Sequence, residues 1–112
     1  MMDAYCRLNK LHLEIHPPYL DPGLSGYLGH VYQSPDGHFG VVYWVAQGPG
    51  RLLEQPKVDE LICILKGNAT LERHGEIIDV GPGDVIFWLV EDPPVVFVPD
   101  SLHAFCVTYR SK

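Results

Sequence analysis

The sequence predicts an all-β domain in which about ten short antiparallel strands form a small barrel or jelly roll. The 112 residues include 11 Gly and 10 Pro, which interrupt the chain at short intervals. No window carries apolar residues at helical spacing for three turns, whereas short β-branched runs recur between the Gly and Pro positions. Because so many short strands must avoid open edges, we expect them to close on themselves or to stack as two sheets.

The stretch Glu60–Trp88 shows this pattern most clearly. It contains three apolar segments, Leu61–Leu65, Ile77–Val80 and Val85–Trp88, and a Gly-Pro-Gly-Asp turn separates the last two. Such runs are too short for helices and are bounded by turn residues on both sides. We therefore predict that this stretch contributes consecutive strands to the core of the domain.

The rest of the chain follows the same alternation of apolar runs and turns. Residues 1–10 form an N-terminal arm, and no linker, repeat or low-complexity segment divides the sequence, so we predict one domain over residues 1–112. Further strands are predicted at Leu11–His16, Tyr27–Gln33, Phe39–Ala46, Arg51–Gln55, Val95–Val98 and His103–Arg110.

Composition excludes several classes of partner. The formal net charge is −6, and Lys and Arg do not cluster anywhere, so neither a nucleic acid nor an anionic membrane surface is an expected partner. The first twenty residues carry charges throughout and lack a signal-peptide core. Apolar runs such as Val85–Val90 are far shorter than the ~20 residues that span a bilayer. The three cysteines are an odd number without a Cys-x-x-Cys pair, which favours reduced thiols and a cytoplasmic location.

Two motifs give the chain a resemblance to a known family. Asp59–Gly67 resembles the first motif of the cupins, in which a Glu precedes an apolar strand that ends in Gly. Gly75 followed by Gly81–Phe87 resembles the start of the second cupin motif. The match covers residues 38–109, and the closing Val107–Tyr109 is similar to cupins of the ethanolamine-utilisation type. The resemblance implies a small barrel with the motif Glu pointing into it.

The histidines that hold a metal in many cupins are missing from the first motif. A metal-binding cupin places His-x-His three or four residues before its Glu. Counting back from Glu60 gives Glu54 and Pro56, or Leu53 and Gln55, and neither spacing offers a histidine. The resemblance therefore implies the cupin fold without its usual metal ligands, and we expect no cofactor.

The second motif also lacks its histidine, because the corresponding position is Pro94. His103 would replace it only if Glu91–Val98 were an insertion, and the spacing to Tyr109 needs none. A first-row metal requires three or four converging nitrogen or oxygen donors. The alternative of a carboxylate-rich divalent metal site would draw on Glu60, His103, Gln55 and Glu54.

Glu60 and His103 are the predicted catalytic residues. Glu60 shares one face of its strand with Ile62 and Ile64, and an apolar cavity on that face would raise the pKa of the carboxyl toward the range useful for proton transfer. His103 opens the last strand and has the intrinsic pKa of a general acid or base. The alternative interpretation is a solvated or ion-paired Glu60 and an exposed His103.

A set of large side chains is predicted to surround the ligand. Aromatic rings provide flat walls for a planar or cationic molecule, and the alternative for each ring taken singly is a plain core position. Of the neighbours Tyr43 and Trp44, only one can face the interior, because successive strand residues point to opposite faces. The predicted substrate-binding residues are Tyr32, Tyr43, Ile62, Trp88 and Phe105.

The predicted function is a metal-independent enzyme that carries out proton transfer on a small metabolite in the barrel. Isomerisation, cyclisation or dehydration would suit a carboxylate base, and no nucleotide-binding or serine-hydrolase motif is present in the sequence. One alternative is a non-catalytic cupin that binds a ligand or dimerises, and a second is a metal-dependent cupin enzyme. A homodimer is expected, because Leu11–His16 alternates as an edge strand able to add to a partner.

Overall fold

The computed structural model describes residues 5–15, 24–52 and 56–110, and within these ranges the protein is built from β-strands. A single 3₁₀ turn at Leu8–Lys10 precedes them. The all-β prediction is confirmed. The strands are β1 (Glu14–Ile15), β2 (Ser25–Gln33), β3 (Phe39–Gln47), β4 (Gly50–Leu52), β5 (Glu60–Gly67), β6 (Ala69–Arg73), β7 (Glu76–Val80), β8 (Val85–Trp88), β9 (Val95–Val98) and β10 (Ser101–Tyr109).

The strands form two antiparallel sheets that pack face to face as a small jelly roll. One sheet has six strands in the order β1-β2-β3-β10-β5-β8, and the other has four in the order β4-β9-β6-β7. Strand β10 lies inside the larger sheet and pairs with both β3 and β5 over most of its length. Because β10 lies between β3 and β5, the face to which each of its residues points is also the face of the residues paired with it.

The core lies between the two sheets. On β10 the even-numbered residues Leu102, Ala104 and Cys106 are buried, while the odd-numbered residues face outward and are partly exposed. The smaller sheet contributes Val96 and Val98, which are both fully buried. This alternation is what an antiparallel sheet with one buried face requires.

Two segments differ from the strands predicted from sequence. The strand β6 (Ala69–Arg73) was not predicted, because Leu71 is its only large apolar residue, yet it pairs with both β7 and β9. The predicted strand Leu11–His16 is ordered as a strand only at Glu14–Ile15, which pairs with β2. His16 and the end of the predicted strand Arg51–Gln55 lie outside the described residues.

The described residues 5–13, called the N-terminal arm from here on, place Leu11 and Leu13 on the outer face of β2. Both side chains come close to Gly29, where an added Cβ would collide with them. Gly29 therefore creates the space in which the arm lies against the sheet. The arm covers this part of the outer face and leaves the strands from β3 to β8 open.

A turn at residues 81–84 fixes β8 against β5. The amide of Gly83 donates to the carbonyl of Ile64, and the amide of Ile64 donates to the carbonyl of Asp84. The Asp84 carboxylate in turn accepts the Gly81 amide at 2.8 Å. These bonds set the pairing of β5 with β8, which places Ile62 beside Ile86.

The pairing of β5 with β10 contains a bulge. Ile64 pairs with Ala104, but the next pair is Lys66 with His103, so Leu65 has no opposite residue. Gly67 ends the strand with φ +82°, and a Cβ at this position would collide with the carbonyl of Ser101. Glycine is therefore required here for two reasons, the left-handed backbone and the close approach of β10.

We expect Gly67→Ala to destabilise the fold more than Gly75→Ala. Gly75 has a similar φ of +79° but no atom near its hypothetical Cβ, so it carries only the backbone penalty. Displacing the β10 backbone should add about 1–3 kcal/mol to the loss in free energy of unfolding. Urea denaturation of both variants measures the difference. Equal losses would show that the contact with Ser101 relaxes freely.

Two further findings concern the cysteines and the lack of a membrane-spanning helix among the described residues. Cys6, Cys63 and Cys106 lie outside any disulfide, and Cys106 is the buried one. The described residues include no helix long and apolar enough to cross a membrane.

Candidate functional site

A cavity of about 230 Å³ lies at one end of the barrel, between the two sheets. Its walls are mostly apolar, and the strands β2, β3, β4, β5, β8 and β10 all contribute to it. A largely apolar cavity with few polar groups is the usual form of a small-molecule site. The lining residues are Leu28, Val42, Trp44, Leu52, Glu60, Ile62, Trp88, Cys106 and Thr108.

The polar end of the cavity is built by one row of paired residues. Glu60 of β5 pairs with Trp88 of β8 on one side and with Thr108 of β10 on the other. Paired residues of an antiparallel sheet project to the same face and lie ~4.5–5.5 Å apart at Cβ. The carboxylate, the indole and the hydroxyl are therefore neighbours at the cavity wall. The predicted cavity positions of Glu60, Ile62 and Trp88 agree with this arrangement.

The start of β5 is held in place by its neighbour in the chain. Asp59 accepts a hydrogen bond from the amide of Val90 at 2.9 Å, which ties the segment after β8 to the first residues of β5. Glu60 follows directly and is half-buried. The position of its carboxylate is thus set by the β5–β8 pairing and by this anchor.

Trp44, and not Tyr43, faces the cavity from β3. Trp44 is only 3% exposed and packs in the core, whereas Tyr43 lies on the outer face of the sheet. The sequence-based assignment of Tyr43 to the ligand site is corrected accordingly. The physical reason is that the Tyr43 hydroxyl has a polar partner outside, while the indole of Trp44 fills apolar space inside.

His103 lies on the opposite face of the sheet from Glu60. It precedes Ala104 and so points outward, and its Nδ1 lies 2.7 Å from the Tyr43 hydroxyl. Burial lowers the pKa of the imidazole below its usual value, and the nearby Lys66 ammonium lowers it further. The sequence-based pairing of Glu60 with His103 around one substrate does not match this geometry. Whether either residue is catalytic stays a prediction.

Phe105 and Tyr32 also lie away from the cavity lining. Phe105 is an outward residue of β10, and its ring centroid is 6.0 Å from that of Tyr43. Tyr32 is 52% exposed and lines a second hollow of about 240 Å³, which shares Val42 and Thr108 with the cavity. The expected aromatic wall is therefore formed by Trp44 and Trp88, and Tyr32 stands at the adjoining hollow.

His30 is the histidine that the described strands place on the cavity side. It pairs with Val42, which lines the cavity, and both residues line the adjoining hollow. The pairing between β2 and β3 shifts immediately after His30, so Tyr32 turns to the outer face. His30 itself is exposed.

The donor set within the described residues does not suit a first-row metal. Glu60 is the only carboxylate of the cavity lining, and no three His, Cys, Asp or Glu side chains converge among the described residues. Of the four alternative donors, His103 faces away from Glu60, and Glu54 and Gln55 lie outside the described residues. We therefore derive no step through a metal.

Thr108 and Cys106 are the polar lining residues that sequence reasoning missed. Their signal is the period-two pattern of β10, which places both on the face of the buried Leu102 and Ala104. Strand alternation alone leaves the choice of face open. The pairing of Thr108 with Glu60 settles it.

Comparison with solved structures identifies the fold. The polyketide cyclase RemF of Streptomyces resistomycificus matches with a TM-score of 0.73 at 18% identity, covering 98% of this chain and 81% of RemF. A cupin-2 domain protein of Rhodospirillum rubrum matches with a TM-score of 0.73 at 17% identity, covering 99% and 78%. The fold is of the cupin type. Clostridium difficile EutQ matches with a TM-score of 0.64 at 18% identity, covering 80% and 71%.

These matches show that the chain shares the cupin fold. They do not show that it shares an activity with these proteins. At such low identity, the conversion that RemF is named for belongs to RemF alone. No family model and no curated protein sequence matches the chain. The resemblance to cupins read from the two sequence motifs is thus confirmed at the level of the fold.

The two tryptophans allow ligand binding in the cavity to be followed by fluorescence. The chain has two Trp residues, and both line the cavity. We expect the compact bicyclic ketone 2-tetralone to quench their fluorescence on binding, and Trp88→Phe to reduce the amplitude. The control Tyr43→Phe should leave the dissociation constant unchanged, because Tyr43 lies on the outer face. A titration without quenching in the wild type would place the ligand elsewhere.

Proposed function

We propose that this cupin-fold protein is a metal-independent enzyme that transfers a proton on a small, largely apolar and aromatic metabolite bound in the barrel cavity. The observation that supports the proposal best is the position of Glu60. Its carboxylate lines a cavity whose other walls are mostly apolar, with two indole rings among them. A carboxylate in such surroundings has the chemistry of a general base for a carbon acid.

Thr108 supplies the second group that this chemistry needs. Its hydroxyl lies on the strand next to Glu60, at the residue paired with it. Removal of a proton next to a carbonyl places negative charge on the carbonyl oxygen. A hydroxyl donor at the cavity wall stabilises that charge. Glu60 accepts the proton from carbon and returns it at the same or a neighbouring atom, so an isomerisation needs no further reactant.

The size and lining of the cavity limit the substrate. A volume of about 230 Å³ is below the ~300–1,000 Å³ usual for ligand sites and limits the ligand to one or two fused rings. Trp44 and Trp88 offer flat aromatic surfaces for such rings. One polar group on the ring system would face the Glu60–Thr108 end. This arrangement supports isomerisation, cyclisation or dehydration of a cyclic metabolite.

The proposal is tested with Glu60→Gln and a carbon-acid probe. In D₂O the wild type should exchange the α-protons of 2-tetralone for deuterium faster than buffer does, as followed by proton NMR. Glu60→Gln should lower that rate by ~10²–10⁴-fold, because an amide is not a base. The melting temperature should change little, since the amide has nearly the same shape as the carboxylate.

The control for this test is Glu72→Gln, which changes an exposed Glu of the four-stranded sheet. It should leave both the exchange rate and the fluorescence titration unchanged. If Glu60→Gln melts far lower and exchanges deuterium normally, Glu60 is structural and the enzyme proposal fails. If the wild type binds 2-tetralone without any exchange, the alternative of a non-catalytic binding cupin is favoured.

A metal-free form is part of the proposal. The cavity lining offers one carboxylate, one thiol and one hydroxyl among the described residues, which is a poor set for iron, nickel, zinc or manganese. We expect plasma mass spectrometry of the purified protein to give far less than one transition metal per chain. A value near one would move Glu60 from proton transfer to ligation and favour the metal-dependent alternative.

We also propose a cytoplasmic location. None of the three cysteines forms a disulfide, and Cys6 is exposed, which suits a reducing compartment. Thiol titration of protein purified without reductant would test this, and a disulfide-linked form in cells would contradict it.

A further inference from the structure

A row of paired residues leads from the cavity to the adjoining hollow. Glu60, Thr108, Gly40 and Gln33 lie side by side on β5, β10, β3 and β2. Because paired residues project to the same face, all four belong to the inner face of the sheet. Thr108 lines both the cavity of about 230 Å³ and the hollow of about 240 Å³. The two spaces therefore meet beside Gly40.

Gly40 leaves the passage between the two spaces open. A Cβ at this position would lie 3.1 Å from the Thr108 Oγ1, so a larger residue would fill the gap between Thr108 and Gln33. The backbone does not require glycine here, because Gly40 is not among the glycines with a positive φ. What Gly40 contributes is the missing side chain.

The hollow has the lining of an anion site. Its polar side chains are those of His30, Tyr32, Gln33 and Arg110, and all four can donate hydrogen bonds. Arg110 is the only one charged at neutral pH, and no Asp or Glu occurs among the described residues that line the hollow. In a chain with a net charge of −6, this space therefore carries a local positive charge.

The chain fixes both Arg110 and the nearest acid of the hairpin. The amide of Arg110 donates to the carbonyl of His38, which continues the β3–β10 pairing one residue past Tyr109. Period two then gives Arg110 the same face as Thr108. The Asp36 carboxylate accepts bonds from the Ser34 hydroxyl at 2.6 Å and the His38 amide at 3.0 Å. It is therefore occupied within the turn and does not line the hollow.

We propose that the hollow binds a carboxylate of the same ligand whose ring and ketone occupy the cavity, so that the substrate is an aryl or cyclic oxo acid. The inference rests on the proposed function for the ketone at Thr108. Neighbouring strands lie ~4.8 Å apart, which sets the carboxylate about one strand spacing beyond the ketone. Two methylene groups span that distance, as in a 4-oxo acid.

The reaction of such an acid balances without another reactant. Glu60 takes a proton from the methylene next to the ketone, and the electron pair of that C–H bond moves to the ketone oxygen beside Thr108. The proton then returns to carbon or to that oxygen. The carboxylate takes no part, and Arg110 acts only by holding and orienting it.

The charges of Glu60 and the bound carboxylate are compatible. Glu60 lies on β5 and Gly40 on β3, which are two strand spacings apart, or ~10 Å. Physiological salt screens charges over about this distance. Arg110 therefore offsets the carboxylate in the hollow, while Glu60 stays available as a base.

The test compares 4-oxo-4-phenylbutanoate with butyrophenone, in which a methyl group replaces the carboxylate, by tryptophan fluorescence of the full chain. The wild type should bind the acid roughly 10-fold more tightly, because a guanidinium makes charge-assisted bonds to a carboxylate. Arg110→Gln should lose this preference and bind butyrophenone as the wild type does. Gly40→Ala should reduce the preference as well, because its methyl group narrows the passage.

The control is Arg73→Gln, which removes the same charge. Arg73 and Arg110 both line a second groove beside Asp59 and Asp92, but Arg73 does not line the hollow. Arg73→Gln should therefore keep the full preference for the acid. If it loses the preference as Arg110→Gln does, the carboxylate binds in that groove and the inference is overturned.

Binding and exchange separate this inference from the proposed function. Equal affinity of the wild type for the two ligands overturns the carboxylate site, as does the absence of binding by both, and neither result needs a variant. The deuterium exchange of 2-tetralone still tests the enzyme proposal in those cases. A preference for the acid that depends on Arg110, without exchange into either ligand, supports the carboxylate site and counts against proton transfer.

Discussion

The pairing of β10 with its two neighbours is the constraint on which the rest of the structure depends. This strand is hydrogen-bonded to β3 on one side and β5 on the other. Its successive residues point alternately to the inner and the outer face of the sheet. The inner residues supply the core and the polar end of the cavity. The outer residues supply His103 and Phe105. A slip of one residue along β10 would exchange the two sets, which is why register errors are so costly in sheets with a buried face.

The cavity lies beside a core that combines large and very small side chains. Ala46 and Ala104 are completely buried on neighbouring strands, and Ala104 pairs with Trp44. At the same time Trp44 and Trp88 reach the site from different strands and limit its width. The mostly apolar walls and the single carboxylate among the described lining residues together give Glu60 its chemical interest.

Much of this fold could be predicted from the sequence, because β-branched runs between Gly and Pro mark strands directly. The inward position of Glu60 and Ile62 also followed from period two and the family resemblance. The errors arose where a choice between faces depended on pairing with a distant strand. Tyr43 and Trp44 are adjacent and equally aromatic, and only the polar partner of Tyr43 on β10 distinguishes them. His103 was assigned to the cavity, because a single sequence does not show which face of β10 is turned inward.

The bulge at Leu65 has a consequence for how this chain tolerates change in length. Before the bulge, even-numbered residues of β5 face the core, and after it the odd-numbered Gly67 takes the inner position. After the bulge, the even-numbered Lys66 therefore faces outward and the odd-numbered Gly67 faces inward. A regular strand of equal length would turn the ammonium group of Lys66 toward the core. A strand shorter by one residue would keep every side chain on its present face. Deletion of Leu65 should therefore leave the inward and outward side chains in place, whereas a change that removes the bulge at constant length would reverse the faces of the residues that follow.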